Sequence, residues 1–355
     1  MNRLNGVFIL DRDAMDLIYG AEDRDHLAVL VNFIAPPLTK EAVAADPTIL
    51  KDVDVIFSGW GCPVMDETLL SHAPRLKAVF YGAGAIGHWA TDAFWKRQIT
   101  VTCAAEANAI PVAEYSLATI LFSLKHGWSL AQRTRDERTF PDRNQAPGGY
   151  GSTVGLISLG AVARKLIEKL QMFDLNLIAY DPFITAAEAE LLGVERVSLD
   201  QMFRTADVVS LHTPLLDETV GMIRGSHFAS MKHGATFINT ARGEIVREEE
   251  MIEVLAARPD LHAVLDVTAT EPPVTTSPLY TMPNITITPH IAGSVGAECR
   301  RMGRYMVEEF DRYLRGEALK WQVRPSELIH TVHRPVAKVQ ATVFTTPAKP
   351  AKVAL

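Results

Sequence analysis

Arg242, Glu271 and His290 each stand just past an apolar run, in "ATFINTARG", "LHAVLDVTATE" and "NITITPH". If those runs are strands of one open parallel sheet, all three side chains reach the crevice at the carboxyl ends, where such sheets bind ligands. A guanidinium holds a carboxylate in a bidentate fork and polarises a neighbouring carbonyl. An imidazole gives or takes the proton of a hydroxyl, and a carboxylate beside it orients the ring and raises its pKa. Singly, each residue has a plainer role: Arg242 as a surface ion pair, Glu271 as a solvated acid before Pro272, His290 as a satisfied loop histidine. On neighbouring strand ends of one sheet, the three together describe proton transfer at the carbonyl of a bound acid.

The elements that would carry them are legible as nine apolar runs: "GVFIL", "VDVIFSG", "LKAVFYGAG", "TVGLIS", "LNLIAYD", "DVVSLHTP", "GATFINTARG", "LHAVLDV" and "NITITPH". They are rich in Val, Ile and Leu, nearly continuous, and separated by helical patterns, which suits parallel sheets covered on both faces. The expected fold class is α/β: a Rossmann-type, doubly wound parallel cofactor domain plus a smaller flavodoxin-like substrate domain. A helix beginning near Val112, "VAEYSLATILFSLKHG", leads into the polar stretch "RTRDERTFPDRNQAPGGYG", which shows no helical or strand period and is expected to be a linker or arm. Near the other end, Met302, Tyr305, Met306, Phe310 and Tyr313 recur at helical spacing, so that helix should return to the first lobe. The expected boundaries are residues 1–107 and 298–330 for a split substrate domain and 108–297 for the cofactor domain. Residues 331–355, which hold no acid and include "PAKPAK", are expected to be disordered.

A cofactor turn follows "TVGLIS". The segment "VGLISLGAVAR" places Ser158, Gly160 and Ala163 where a dinucleotide fingerprint has three glycines. Only the middle one must lack a side chain for the backbone to approach a pyrophosphate, and Gly160 fills that place. A Cβ at Ser158 strains the bend, although its hydroxyl could reach a phosphate oxygen. Asp181, at the end of the next strand, is the expected ribose acid. The residues after it, "PFITAAE", contain no base to receive a 2′-phosphate, which favours NAD over NADP. Beside a nicotinamide, the Arg, Glu and His set is what reduction of a 2-oxo acid needs.

Composition narrows the classes. With 48% hydrophobic and 22% charged residues and a net charge of −7 spread along 355 residues, the chain fits a soluble two-lobed protein and gives no reason to expect nucleic acid. Cys62, Cys103 and Cys299 are odd in number and far apart, which argues against a disulfide framework or a zinc site. The start of the chain has no signal-peptide pattern and no apolar run is long enough to span a bilayer, so a cytoplasmic location is expected.

The segments "LHTPLLDETVGMI", "MKHGATFINTARGEIVREEEMIEVL", "LDVTATEPP" and "ITPHIAGS", with "NAIPVAE" before them, resemble in order the signature segments of the D-isomer-specific 2-hydroxyacid dehydrogenases, over about Leu76 to Arg315. The resemblance implies that Arg242 anchors the substrate carboxylate and carbonyl, that His290 is the acid/base, and that Glu271 is its partner. It implies cofactor contacts from Ser158, Leu159, Gly160, Ala161, Val162, Asp181, His212, Thr213, Pro214, Thr240, Ala241 and Asp266, the last near the nicotinamide carboxamide. It further implies that Gly82, Ala83 and Gly84 hold the carboxylate through backbone amides. A homodimer through the cofactor lobes, with the helix from Val112 to Leu124 and the following arm in the contact, is implied as well. The loop after "YGAG" reads "AIGHWA", without the aspartate many relatives carry, and Trp60 in "SGWGCP" is a candidate for lining the pocket. Glyoxylate, hydroxypyruvate, or a larger aromatic or branched oxo acid are candidate substrates. The alternative on the same fold is an NAD(H)-sensing binding protein like the C-terminal-binding corepressors.

Overall fold

The computed structural model describes residues 3–325; the segment 331–355, expected to be disordered, lies outside the described residues. Two parallel sheets divide the chain. The first contains β1 (Leu4–Ile9), β2 (Val31–Phe33), β3 (Val55–Ser58), β4 (Ala78–Tyr81) and β5 (Thr100–Cys103), in the order β2-β1-β3-β4-β5. That is the flavodoxin-like order. The second contains β6 (Thr153–Ile157), β7 (Asn176–Tyr180), β8 (Glu195–Arg196), β9 (Val208–Leu211), β10 (Thr236–Asn239), β11 (His262–Leu265) and β12 (Ile285–Ile287). Its order, β12-β11-β10-β9-β6-β7-β8, reverses between β6 and β9, the switch point where a doubly wound sheet binds its ligand.

Every residue of β3, β4, β9, β10 and β11 is buried, which is why these strands appear as unbroken apolar runs. Three strands gave no such run. β2 and β8 are short sheet-edge strands with exposed positions, and β5 is "TVTC", where the buried Thr102 satisfies its hydroxyl on Met306 Sδ at 3.4 Å.

The connecting helix, Ala105–Ser123, starts earlier than the expected Val112 and holds Pro111 in its interior. Packing overrides the lost backbone hydrogen bond: Ala107, Ala113 and Ile120 are fully buried, and the helix contacts both the returning helix and the helix after the cofactor turn. The expected arm is corrected in its first part, since residues 133–137 belong to a second helix, Gly127–Glu137. That helix buries none of its residues, so no apolar stripe betrays it; Arg133 Nε donates to Glu137 Oε1 at 2.7 Å across one turn.

The returning helix, Cys299–Arg315, lays Met302, Met306 and Phe310 on the first sheet, with the Phe310 ring edge-on to Phe57 and Phe80 at 5.1 and 5.2 Å. Burial of each such side chain contributes about 1.5–3 kcal/mol. Its Glu309 is wholly buried and accepts from Arg312 Nη1 at 2.6 Å and from the amides of Lys320 and Trp321 at 3.2 and 3.0 Å, which ties the segment after the helix back beside β5. Among the described residues no single helix is long and apolar enough to cross a membrane.

Candidate active site

Register aligns the carboxyl ends of the second sheet. Tyr180, Ile157, Leu211, Asn239, Leu265 and Ile287 are successive partners across six strands. One residue beyond that row lie Asp181, Ser158, His212, Thr240, Asp266 and Thr288, five of them expected cofactor residues. The groups expected to do chemistry come further out in the loops.

After β6 the chain turns sharply. Ser158 has φ +74°, the left-handed region that favours glycine, while its amide donates to Tyr180 O at 2.8 Å. None of the described residues hydrogen-bonds its hydroxyl. Gly160 caps the helix Ala161–Leu170 with no side chain, and a Cβ built there would meet no protein atom within 4 Å. Protein packing therefore does not require this glycine; the free space lies at a helix N-terminus, which suits a pyrophosphate. Thr213 Oγ1, buried just past β9, has no described hydrogen-bond partner. The open cradle and the orphaned hydroxyl fit a dinucleotide. Ala163 is fully buried against the sheet, so the third fingerprint position has room for a methyl group.

Asp181 is already engaged: Oδ2 accepts from Leu159 N and Oδ1 from Phe183 N, both at 2.8 Å. It latches the turn after β6 to the turn after β7. Asp266 is buried and accepts from Thr288 Oγ1 at 2.7 Å and from the amides of Ile291 and Ala292 at 2.8 Å, so it organises the loop that presents His290. Burial pushes the His212 imidazole down to about 4, and its Nε2 lies 3.0 Å from Ser210 Oγ. His212 is thus neutral at ordinary pH.

His290 and Glu271 meet, with Nδ1 2.8 Å from Oε2. The hydrogen bond that His290 donates to Glu271 raises the His290 pKa against the opposing effect of burial, and the charge of Arg242 works against it. Burial raises the carboxyl of Glu271, but the hydrogen bond and charge of His290 outweigh it and hold it below the usual range. Arg242 acts electrostatically on both, so the structure brings all three residues to one place.

Residues that carried no sequence signal set this geometry. Asn239, buried at the end of β10, accepts from Ala241 N at 2.9 Å and donates to Arg242 O at 3.0 Å. A Cβ on Gly243 would collide with the backbone of Thr268, so this glycine lets the Arg242 turn lie against the Glu271 loop. Tyr115 OH lies 2.8 Å from Thr288 Oγ1 and continues the chain of bonds to Asp266.

Across the cleft, Gly82 donates its amide to Ser58 O at 2.8 Å, and a Cβ there would collide with Ile18. Its amide is committed, which leaves those of Ala83 and Gly84 for a carboxylate. Ala83 is buried and its carbonyl accepts from Ala104 N at 2.9 Å, while a Cβ on Gly84 would find its nearest neighbour, Asn108 Nδ2, at 3.9 Å. Asn108 Oδ1 accepts from Ser294 N at 2.8 Å, so the side chain that borders the space beside Gly84 also holds the loop after His290. His88, in the same loop as Gly84, has its pKa lowered by burial and by the charge of Arg242.

The model of the D-isomer specific 2-hydroxyacid dehydrogenase NAD-binding domain matches residues 117–292. The chain is 34% identical over 286 residues to the (S)-sulfolactate dehydrogenase of Chromohalobacter salexigens, covering 77% of this chain and 92% of that one. The chain belongs to the D-isomer specific 2-hydroxyacid dehydrogenase family. This 2-hydroxyacid dehydrogenase family member is also 31% identical over 288 residues to the D-3-phosphoglycerate dehydrogenase of Methanocaldococcus jannaschii, which covers 80% of this chain and 53% of that one. It spans about half the length of the curated phosphoglycerate dehydrogenases it matches. The holo D-mandelate dehydrogenase of Rhodotorula graminis is similar in structure, with a TM-score of 0.77 and 25% identity over 91% of this chain and 98% of that one. The family member thus carries an NAD-binding domain on the second sheet.

Proposed function

We propose that the protein is an NAD-dependent D-2-hydroxyacid dehydrogenase that works as a 2-oxo acid reductase. The observation that carries this reading is the 2.8 Å His290–Glu271 pair, with Arg242 acting on both beside the row of cofactor residues. Bound NADH supplies the hydride. Arg242 and the amides of Ala83 and Gly84 fix the substrate carboxylate and draw charge toward the carbonyl oxygen. Protonated His290 gives its proton to that oxygen, and Glu271 holds the ring with Nδ1 inward so that Nε2 faces the substrate. In the reverse direction neutral His290 takes the hydroxyl proton. Asp181 favours NAD, since a carboxylate repels a 2′-phosphate and "PFITAAE" offers no base to bind one.

The substrate lobe is proposed to be residues 1–107 with 298–330 and the cofactor lobe 108–297, in keeping with the returning helix packed on the first sheet. A homodimer is proposed on the side of the helix Gly127–Glu137, which buries none of its residues and is followed by the exposed Phe140 and Tyr150. The relatives named above act on acids of two kinds: 3-phosphoglycerate and sulfolactate carry a second anionic group, mandelate an uncharged ring. Glyoxylate and hydroxypyruvate are the smallest candidates for this chain.

The test is a panel of 2-oxo acids with NADH and NADPH side by side. At least one acid is reduced with NADH, faster than with NADPH, and His290→Gln lowers kcat by about 10²–10⁴ while NADH still binds. NADH-dependent assembly without turnover of any acid refutes the dehydrogenase reading and favours the corepressor-like one.

A further inference from the structure

We infer that the substrate's tail is uncharged and apolar, so that 2-oxo acids bearing a second phosphate, sulfonate or carboxylate are disfavoured; this rests on the dehydrogenase reading. Ile9, Ser58, Tyr81 and Cys103 are register partners across the first sheet, so the loops that begin at Leu10, Gly59, Gly82 and Ala104 leave it at one level. They form the wall around the carboxylate seat at Ala83 and Gly84. From residue 10 to 13, 59 to 66, 82 to 90 and 104 to 108, that wall holds one base, Arg12, and four acids, Asp11, Asp13, Asp66 and Glu106. Glu106 is neutralised by Lys165 at 2.9 Å, and Arg12 stands between Asp11 and Asp13. A doubly charged anion would meet net negative charge on these four loops, which hold no cluster of bases for its second group.

Asp11 is the decisive acid. Its amide donates to Trp60 O at 2.7 Å, and a Cβ on Gly61 would collide with its carboxyl, so the carboxylate is packed against the Trp60 turn. Its charge also acts on Tyr81, whose ring lies 6.5 Å from that of His88. Around this acid the wall offers an indole, Trp60, 38% exposed, and an imidazole, His88, whose pKa burial and the charge of Arg242 lower. Next to His290, Ile291 adds an apolar side chain that is 41% exposed. One carboxylate satisfies Arg242, and the remaining surface suits an aromatic or branched aliphatic tail.

The test measures kcat/KM with NADH for phenylpyruvate and 4-methyl-2-oxopentanoate against phosphohydroxypyruvate and sulfopyruvate. The neutral-tailed acids are expected to exceed the anionic ones at least about tenfold. Removing one like charge at close range in Asp11→Asn should raise the anionic-to-neutral ratio about fivefold, a change that a general loss of folding does not produce. Quenching of tryptophan fluorescence by 4-methyl-2-oxopentanoate in the presence of NAD should fall in Trp60→Phe. Preference for either anionic acid overturns the inference and leaves the dehydrogenase reading standing, as does a ratio that Asp11→Asn fails to raise or a quench that survives Trp60→Phe. If no acid is reduced, the dehydrogenase reading fails and the inference with it.

Discussion

Replacing Ser158 by glycine separates the strain of the cofactor turn from its chemistry. At φ +74° a residue with a Cβ is roughly 1–2 kcal/mol less stable than glycine. Glycine returns roughly 0.5–1 kcal/mol of that through the greater freedom of its unfolded chain. Ser158→Gly should therefore stabilise the cofactor-free protein by about 0.5–1 kcal/mol, or about 1–4 °C in Tm for a lobe of this size. The hydroxyl it removes has no partner among the described residues, and it sits in the turn that leads to the open cradle at Gly160. A hydrogen bond from that hydroxyl to a charged phosphate oxygen is worth about 1.5 kcal/mol, so NADH should bind roughly tenfold more weakly to the variant. Calorimetric unfolding without cofactor and titration with NADH read the two effects independently. A lower Tm would refute the strain, and an unchanged or tighter Kd would refute the phosphate contact.

Glu271→Gln removes the carboxylate that raises the His290 pKa, while burial and Arg242, which lower it, stay in place. Reduction uses the protonated ring, a form present below its pKa and lost as pH rises through it, so the alkaline fall of the reduction rate should move to lower pH; an unmoved midpoint contradicts the pairing. Asp181→Ala leaves the amide of buried Leu159 without its acceptor, which should cost about 1–3 kcal/mol in denaturant unfolding, and should weaken NADH more than NADPH. Equal losses for the two cofactors would leave Asp181 a turn acid alone. Glu309→Ala removes the buried acceptor shared by Arg312 and the amides of Lys320 and Trp321 and should destabilise by about 1–3 kcal/mol, with a local rise in hydrogen exchange around residues 320–323; full stability would show that the segment is held by other contacts.

The strands that carry the site were legible because they are buried on both faces, and the Arg242, Glu271 and His290 set was legible because each residue follows such a strand. Asp181 and Asp266 were found as positions but not as latches, since hydrogen bonds to distant backbone amides leave no period in a sequence. Asn239, Tyr115 and Asn108 were missed for the same reason: each acts on a loop brought near by the fold. The helix Gly127–Glu137 was hidden because a helix with no buried face has no apolar stripe. His88 carries no signal of its own within "AIGHWA", and its relation to Arg242 exists only across two sheets.

The level ends of the second sheet divide the labour of the chain in a way that bears on its variation. The positions proposed for the cofactor come one residue past the strands, so a single insertion or deletion within a strand would displace a contact and exchange the side chains packed on the two buried faces of the sheet at once. The His290–Glu271 pair and Arg242 lie farther out, on loops whose length and composition can change while the row stays fixed. A protein built this way can exchange one acid for another by rewriting its loops and keep the same electron carrier throughout.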